Sequence, residues 1–234
     1  KYRSRVLVIY RGGCAINCRY CFRRHFPYQE NTLTARDIDG VVTYLKAHPE
    51  VNEVILSGGD PLMADDQALS GLFVRLESVS SIHRLRIHTR LPIVIPERVT
   101  DTLCQTIAAT TLPVVMVLHS NHANEIDQSV MDAVSQLRAV CRSVLNQSVI
   151  LKGINDSADV LIALSERLFE AGIDPYYLNV LDRVSGAHHF DVSDLEVAAL
   201  HQALLNALPG YLVPKLVREV PGIGHKVQWK GTTH

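Results

Sequence analysis

Three cysteines, Cys14, Cys18 and Cys21, fall within eight residues as C-x-x-x-C-x-x-C, in a chain with five cysteines in all. A disulfide needs two thiols, and a tetrahedral zinc site needs four ligands, usually supplied as two separated pairs. A structural zinc site here would have to draw His25 or Cys104 as its fourth ligand. Three thiolates on one loop suit a [4Fe–4S] cluster better, because they leave one iron open to a ligand the protein does not supply. The SGGDP stretch at 57–61 adds glycines that let backbone approach a ligand closely, or that only make a tight turn. His119 and His122 stand at H-x-x-H spacing, which could suggest a metal; lining a pocket is the reading favoured here.

Composition bounds the remaining possibilities. The chain has 234 residues, 47% of them hydrophobic, enough to bury a sizeable core as one domain or at most two. A formal charge of -1 and a pI near 6.9 give no field that points to nucleic acid or a membrane surface. No apolar run approaches the ~18 residues of a membrane span. An odd cysteine count with three packed together is unlike a secreted disulfide framework, so a reducing cytoplasm is expected. The chain opens almost directly on a strand-like run, KYRSRVLVIY, and reads as part of a longer polypeptide.

The elements that must position these residues alternate regularly. RVLVIY (5–10) reads as a strand, followed by a helix that Thr34 and Asp37 would cap. EVILSGG (53–59) precedes a helix near 65–78, and RLRIHTR (84–90) precedes one from about Pro96. PVVMVLHS (113–120) leads to a helix from about Asp127 to Arg142. SVILKGI (148–154) leads to Ser157–Ala171, and YYLNVLD (176–182) to a helix opened by Ser193 and Glu196. Six such units in a row predict a parallel α/β sheet wrapped by helices: a partial, (β/α)6 TIM-like barrel. Residues 211–234 break the pattern with a strand and a Pro/Gly loop. Cys104 and Cys141 fall in helices, as small core residues.

Parallel barrels gather their chemistry at the C-terminal ends of the strands. The segments at those ends of the six expected strands are, in order, RGGCAINCRYCFRR, SGGDP, HTR, HSNH, KGIND and DRVSG. Thiols, glycines, His, Asp and Arg recur at the one face that could assemble them, which argues for an enzyme independently of any motif.

The cysteine spacing, with Tyr20 before the third thiol, resembles the signature of the radical S-adenosylmethionine (SAM) enzymes. CRYCFRRHFPY, LSGGDPLM, RIHTRLPIVIPERVT, NHANE, LNQSVILKGIND, PYYLNVLDRVSGAHHF and PGIGHK, in that order, resemble the lysine 2,3-aminomutase family. HFPY and GYLVPKLVRE are most similar to the branch that makes (R)-β-lysine for modification of bacterial elongation factor P. The resemblance implies a radical SAM core over 1–210, a C-terminal segment over 211–234 carrying pyridoxal phosphate (PLP), and a further N-terminal region. It implies cluster ligation by Cys14, Cys18 and Cys21, and SAM contacts by Tyr20, Ser57, Gly58, Gly59 and Asp60, the acid facing the SAM ammonium.

The same resemblance implies that Lys226 holds PLP, with Lys152 as the competing lysine. Ile223 and His225 depart from the family's glycine-rich loop before that lysine. Arg23 would grip the substrate carboxylate, while Arg24 reads as surface. Asp182 and Glu219 would grip the lysine ε-ammonium, Glu219 being one methylene longer than the aspartate many relatives carry. His88 and Gln147 match positions near SAM or PLP. Arg5 either holds the PLP phosphate or is only a charged strand start. His188 and His189 belong to a loop without a ligand role.

The implied activity is a radical isomerisation of L-lysine in which the amino group moves from C2 to C3. Implied partners are L-lysine, a reductant such as flavodoxin or ferredoxin, and a ligase that passes β-lysine to elongation factor P. A homo-oligomer is expected, with no nucleic acid and no membrane. Two alternatives stay open: a catabolic or osmolyte-related aminomutase of the same fold acting on another amino acid, and a zinc-stabilised binding module without catalysis.

Overall fold

The computed structural model describes residues 3–21, 33–182, 184–220 and 222–229. Arg23, Arg24 and His25 lie outside the described residues. Eight strands form one sheet in sequence order: β1 (Arg5–Arg11), β2 (Glu53–Gly58), β3 (Arg84–Thr89), β4 (Val114–Leu118), β5 (Ser143–Val149), β6 (Asp174–Asn179), β7 (Lys215–Arg218) and β8 (Val227–Gln228). All neighbours through β7 are parallel, and β8 returns antiparallel on β7. The helices are α1 (Ala35–Ala47), α2 (Asp66–Glu77), α3 (Leu91–Val94), α4 (Asp101–Ala109), α5 (Gln128–Val140), α6 (Ala158–Glu170) and α7 (Asp194–Ala207). Together they make the expected partial, TIM-like α/β barrel. Among the described residues no helix is long and apolar enough to cross a membrane.

The strands alternate as a sheet with two buried faces requires. Val54 and Leu56 of β2, Leu85 and Ile87 of β3, and Met116 and Leu118 of β4 pack with Leu69, Phe73, Leu103 and Leu137 of the helices. The intervening residues, among them Glu53, Arg86, His88 and Gln147, face the barrel interior. Two expected capping boxes are formed in full: Thr34 with Asp37 opens α1, and Ser193 with Glu196 opens α7.

Two expectations change. The helix expected from about Pro96 starts at Asp101, capped by Thr100, because Pro92 and Pro96 break the stretch before it into α3 and a 3-10 turn. The fifth strand is Ser143–Val149 and not 148–154, so Lys152 sits in the loop beyond it. Its helix-facing positions include Asn146 and Ser148, whose side chains bond Ser120 and each other where aliphatic residues would be expected. That polar pairing hid the strand from a hydrophobicity reading. The strand expected in 211–234 is β7, which continues the sheet, and Leu212 and Leu216 share a core cluster with Leu178, Leu200 and Leu204.

Candidate active site at the barrel mouth

The cysteine loop leaves β1 through Arg11, Gly12 and Gly13 and lies directly on the turn after β2. Gly59 N donates to Arg11 O at 2.8 Å, and Asp60 N donates to Gly13 O at 2.8 Å. A Cβ on Gly59 would meet Gly13 O at 2.2 Å, so only glycine permits this approach. Gly58 has φ +112°, and its Cβ would strike the Ile9 side chain. Part of what the glycines do is therefore to seat the cysteine loop. None of the five cysteines is in a disulfide.

Asp60 anchors the turn after β2. The residue is 6% exposed. Oδ1 accepts from Thr89 Oγ1 at 2.7 Å and Leu62 N at 3.0 Å, while Oδ2 accepts from Arg90 N at 2.8 Å and Leu91 N at 3.2 Å. Burial nevertheless pushes its pKa upward against the pull of these donors. The carboxylate is turned inward onto four donors and ties the turn after β2 to the end of β3. Contact with SAM in this stretch would fall to the backbone around Ser57, Gly58 and Gly59.

Tyr20 is tucked under the mouth against Val149, Leu151, Leu181 and Phe190. Burial raises its pKa, although Arg90 pulls the other way. Arg90, at the end of β3, donates from Nη1 to Cys18 Sγ at 3.0 Å and to the Tyr20 hydroxyl at 2.8 Å, and from Nη2 to Glu125 Oε2. Glu125 Oε1 accepts from the backbone of Asn121 at 2.6 Å and His122 at 3.0 Å. Arg90 and Glu125 carry no individual signal in the sequence: HTR is a strand-end polar run, and NHANE is one of the stretches that carry the family resemblance.

Inside the barrel, Gln147 Nε2 lies 3.0 Å from His88 Nδ1 and 3.1 Å from His119 Nε2. Its carbonyl oxygen is buried with no donor among the described residues, an acceptor aimed into the lumen. His122 instead caps the turn that follows it, accepting from Asn124 N at 3.1 Å, so the H-x-x-H pair does not converge. Next in the sheet, Tyr177 pairs with Gln147, and Lys226 Nζ stands 5.3 Å from the Tyr177 ring centre. Lys226 Nζ also donates to Asn179 Oδ1 at 2.6 Å and lies 3.6 Å from Glu219 Oε1. Asp182 follows three residues past the end of β6. Lys226, Glu219, His88 and Gln147 thus share the interior and mouth of one barrel.

Arg5 is at the other end. It opens β1 opposite Glu53, with Nη1 3.9 Å from that carboxylate, which Arg86 holds at 2.7 Å. The structure does not bring Arg5 to the cysteines; it belongs to a basic layer at the barrel floor. His188 and His189 form a loop turn, as expected, and Arg19 reaches His189 at 3.3 Å.

The donor chemistry fits the groups the sequence implies. Among the described residues no three His, Cys, Asp or Glu side chains converge as a single-ion site would require. A [4Fe–4S] cluster takes its thiolates on separate irons, so three cysteines on one glycine-seated loop suit it. A partly buried primary amine beside a tyrosine ring and a carboxylate suits a carbonyl cofactor.

Fold and site define a radical SAM enzyme core, and a model of the radical SAM superfamily matches residues 8–175. The fold is shared with Streptococcus suis SuiB bound to S-adenosylmethionine, at TM-score 0.67 and 17% identity over 94% of this chain and 51% of that one. A radical SAM methyltransferase from Sphaerobacter thermophilus aligns at TM-score 0.62 and 17% identity, covering 92% of this chain and 66% of that one. Among curated proteins, L-lysine 2,3-aminomutase of Haemophilus influenzae is 54% identical over 226 residues, 97% of this chain and 67% of that protein. That of Escherichia coli is 53% identical over 222 residues, 95% of this chain and 65% of that protein. The chain belongs to the L-lysine 2,3-aminomutase family of radical SAM enzymes, and spans about two thirds of the length of these two relatives.

Proposed function

We propose that this chain is the SAM- and PLP-dependent core of an enzyme that converts L-α-lysine to β-lysine, in the R form, for modification of elongation factor P. The observation that carries the reading is the seating of Lys226 beside Glu219 and Asn179 at the mouth that also bears the cysteine loop. When bound, cluster and SAM supply a carbon-centred radical, and PLP supplies the conjugated system that lets nitrogen migrate between neighbouring carbons.

The chain's own residues position and shield. Cys14, Cys18 and Cys21 hold three irons, and the turn of Ser57, Gly58 and Gly59 presents backbone to SAM, with Tyr20 packed beneath. Lys226 anchors PLP through its amine. Arg23 holds the substrate carboxylate by a bidentate fork. Asp182 and Glu219 face the ε-ammonium; two carboxylates suit a cationic substrate tail and repel an acidic one. Glu219, already near the Lys226 ammonium, supplies a negative charge in this pocket before substrate arrives. His88 and Gln147 offer polar groups to SAM or PLP from the interior, where the barrel wall excludes water. A flavodoxin or ferredoxin would reduce the cluster, and an elongation factor P ligase would take the product. A cytoplasmic homo-oligomer is the expected setting.

Anaerobic incubation with L-lysine, SAM and dithionite, followed by chiral analysis, tests the reading. (R)-β-lysine is expected; turnover of another amino acid in place of lysine would overturn the substrate assignment. Borohydride reduction with peptide mapping should find the pyridoxyl group on Lys226, and finding it on Lys152 would refute that role. Zinc without labile sulfide in anaerobically purified protein would sink the cluster.

A further inference from the structure

Arg90 joins four strand-end loops through one residue. Its backbone N–H donates to Asp60, on the turn after β2, at 2.8 Å. From its own place after β3, its guanidinium reaches Cys18 and Tyr20 on the loop after β1 and Glu125 on the loop after β4. Its side chain is only 18% exposed and that of Glu125 23%, so this is not a solvated surface pair. A guanidinium withdrawn from water requires acceptors in fixed directions. One acceptor is the Glu125 carboxylate, which the backbone of Asn121 and His122 holds in place. Another is the sulfur of Cys18 at 3.0 Å. Cysteine binds iron as the thiolate, a far better acceptor than a thiol.

We propose that Arg90 is a positioning residue for the iron–sulfur cluster: its N–H donation to Cys18 Sγ holds the middle thiolate of the motif and raises the cluster's reduction potential, and Glu125 tempers that effect. The proposal rests on the cysteine loop holding a [4Fe–4S] cluster, as in the proposed function. Hydrogen bonds to ligand sulfurs and nearby charge are among the protein's main levers on such potentials. A donor to sulfur withdraws electron density and favours the reduced cluster, whose extra negative charge the cation also stabilises. Glu125 opposes this by partly neutralising the guanidinium.

The two charges therefore predict opposite shifts. Wild type, R90K, R90Q and E125Q are reconstituted anaerobically, assayed for iron and sulfide, and titrated with dithionite under EPR without lysine. At a fixed potential near the wild-type midpoint, R90Q should show a reduced-to-oxidised ratio about tenfold lower, a shift of about 59 mV for a one-electron couple. R90K should shift the same way by less, and E125Q should shift the midpoint upward. Equal midpoints in R90Q and E125Q at full iron content would overturn the proposal. Should R90Q fail to load iron, R90K and E125Q keep the cation, and unchanged midpoints in both would overturn it equally. Wild-type protein that takes up no iron would sink the cluster reading itself, and this proposal with it.

Discussion

Lys226 Nζ donates to Asn179 Oδ1 at 2.6 Å, across 47 residues of sequence. Asn179 is fixed in turn, its Nδ2 donating to Ser148 O at 2.9 Å. The lysine on the C-terminal loop is thus held by the end of β6. Replacing Asn179 with Leu removes one charge-assisted bond, worth roughly 1.5–3 kcal/mol. The expected outcome is a fall of about tenfold in PLP affinity at Lys226, read as the PLP concentration that half-saturates pyridoxyl labelling after borohydride. Unchanged half-saturation would show that the bond does not position the amine.

Asp60 is expected to matter for stability before it matters for chemistry. Asp60→Ala strands four donors at the junction of the β2 and β3 loops. A loss of roughly 2–4 kcal/mol is expected by urea denaturation. Asp60→Asn, which keeps one carbonyl acceptor, should lose less. An Asp60→Ala protein as stable as wild type, but weaker for SAM, would favour the ligand role.

Two glycines separate close approach from empty space. Gly59→Ala would drive a methyl group into the Gly13 backbone at 2.2 Å, whereas Gly71, within α2, has nothing within 4 Å. Gly59→Ala should lower reconstituted iron content together with thermal stability. Gly71→Ala should leave iron content unchanged and raise stability by roughly 0.5–1 kcal/mol.

Burial pushes the Cys141 thiol up to about 12, with Cys104 adding to the shift. The thiolate reacts, and at pH 8 about one part in ten thousand of a thiol with that pKa is ionised. Iodoacetamide at pH 8 should therefore modify the exposed Cys14 of apo-protein well before Cys141. Peptide mapping over time checks the order, which should hold until the protein is unfolded.

Much of this molecule is legible along the chain because the governing contacts are local. Thr34 with Asp37, and Ser193 with Glu196, are three residues apart, and both capping boxes form. The cysteine spacing, the two glycines of SGGDP and the expected strands of the barrel other than the fifth also follow from short-range pattern. The sequence alone thereby determined the architecture and the family. It could not locate β5, because Asn146 and Ser148 are buried by virtue of bonds to Ser120, on the loop after β4. Nor could it tell that Asp60 turns inward while Gln147 keeps an acceptor facing the lumen, or that Arg90 reaches Cys18, 72 residues away. A side chain's partners depend on which strands lie beside it, and parallel pairing through long crossovers makes those neighbours distant in sequence. Residue type and spacing decided which groups could do chemistry; only the tertiary structure decided which way each one points.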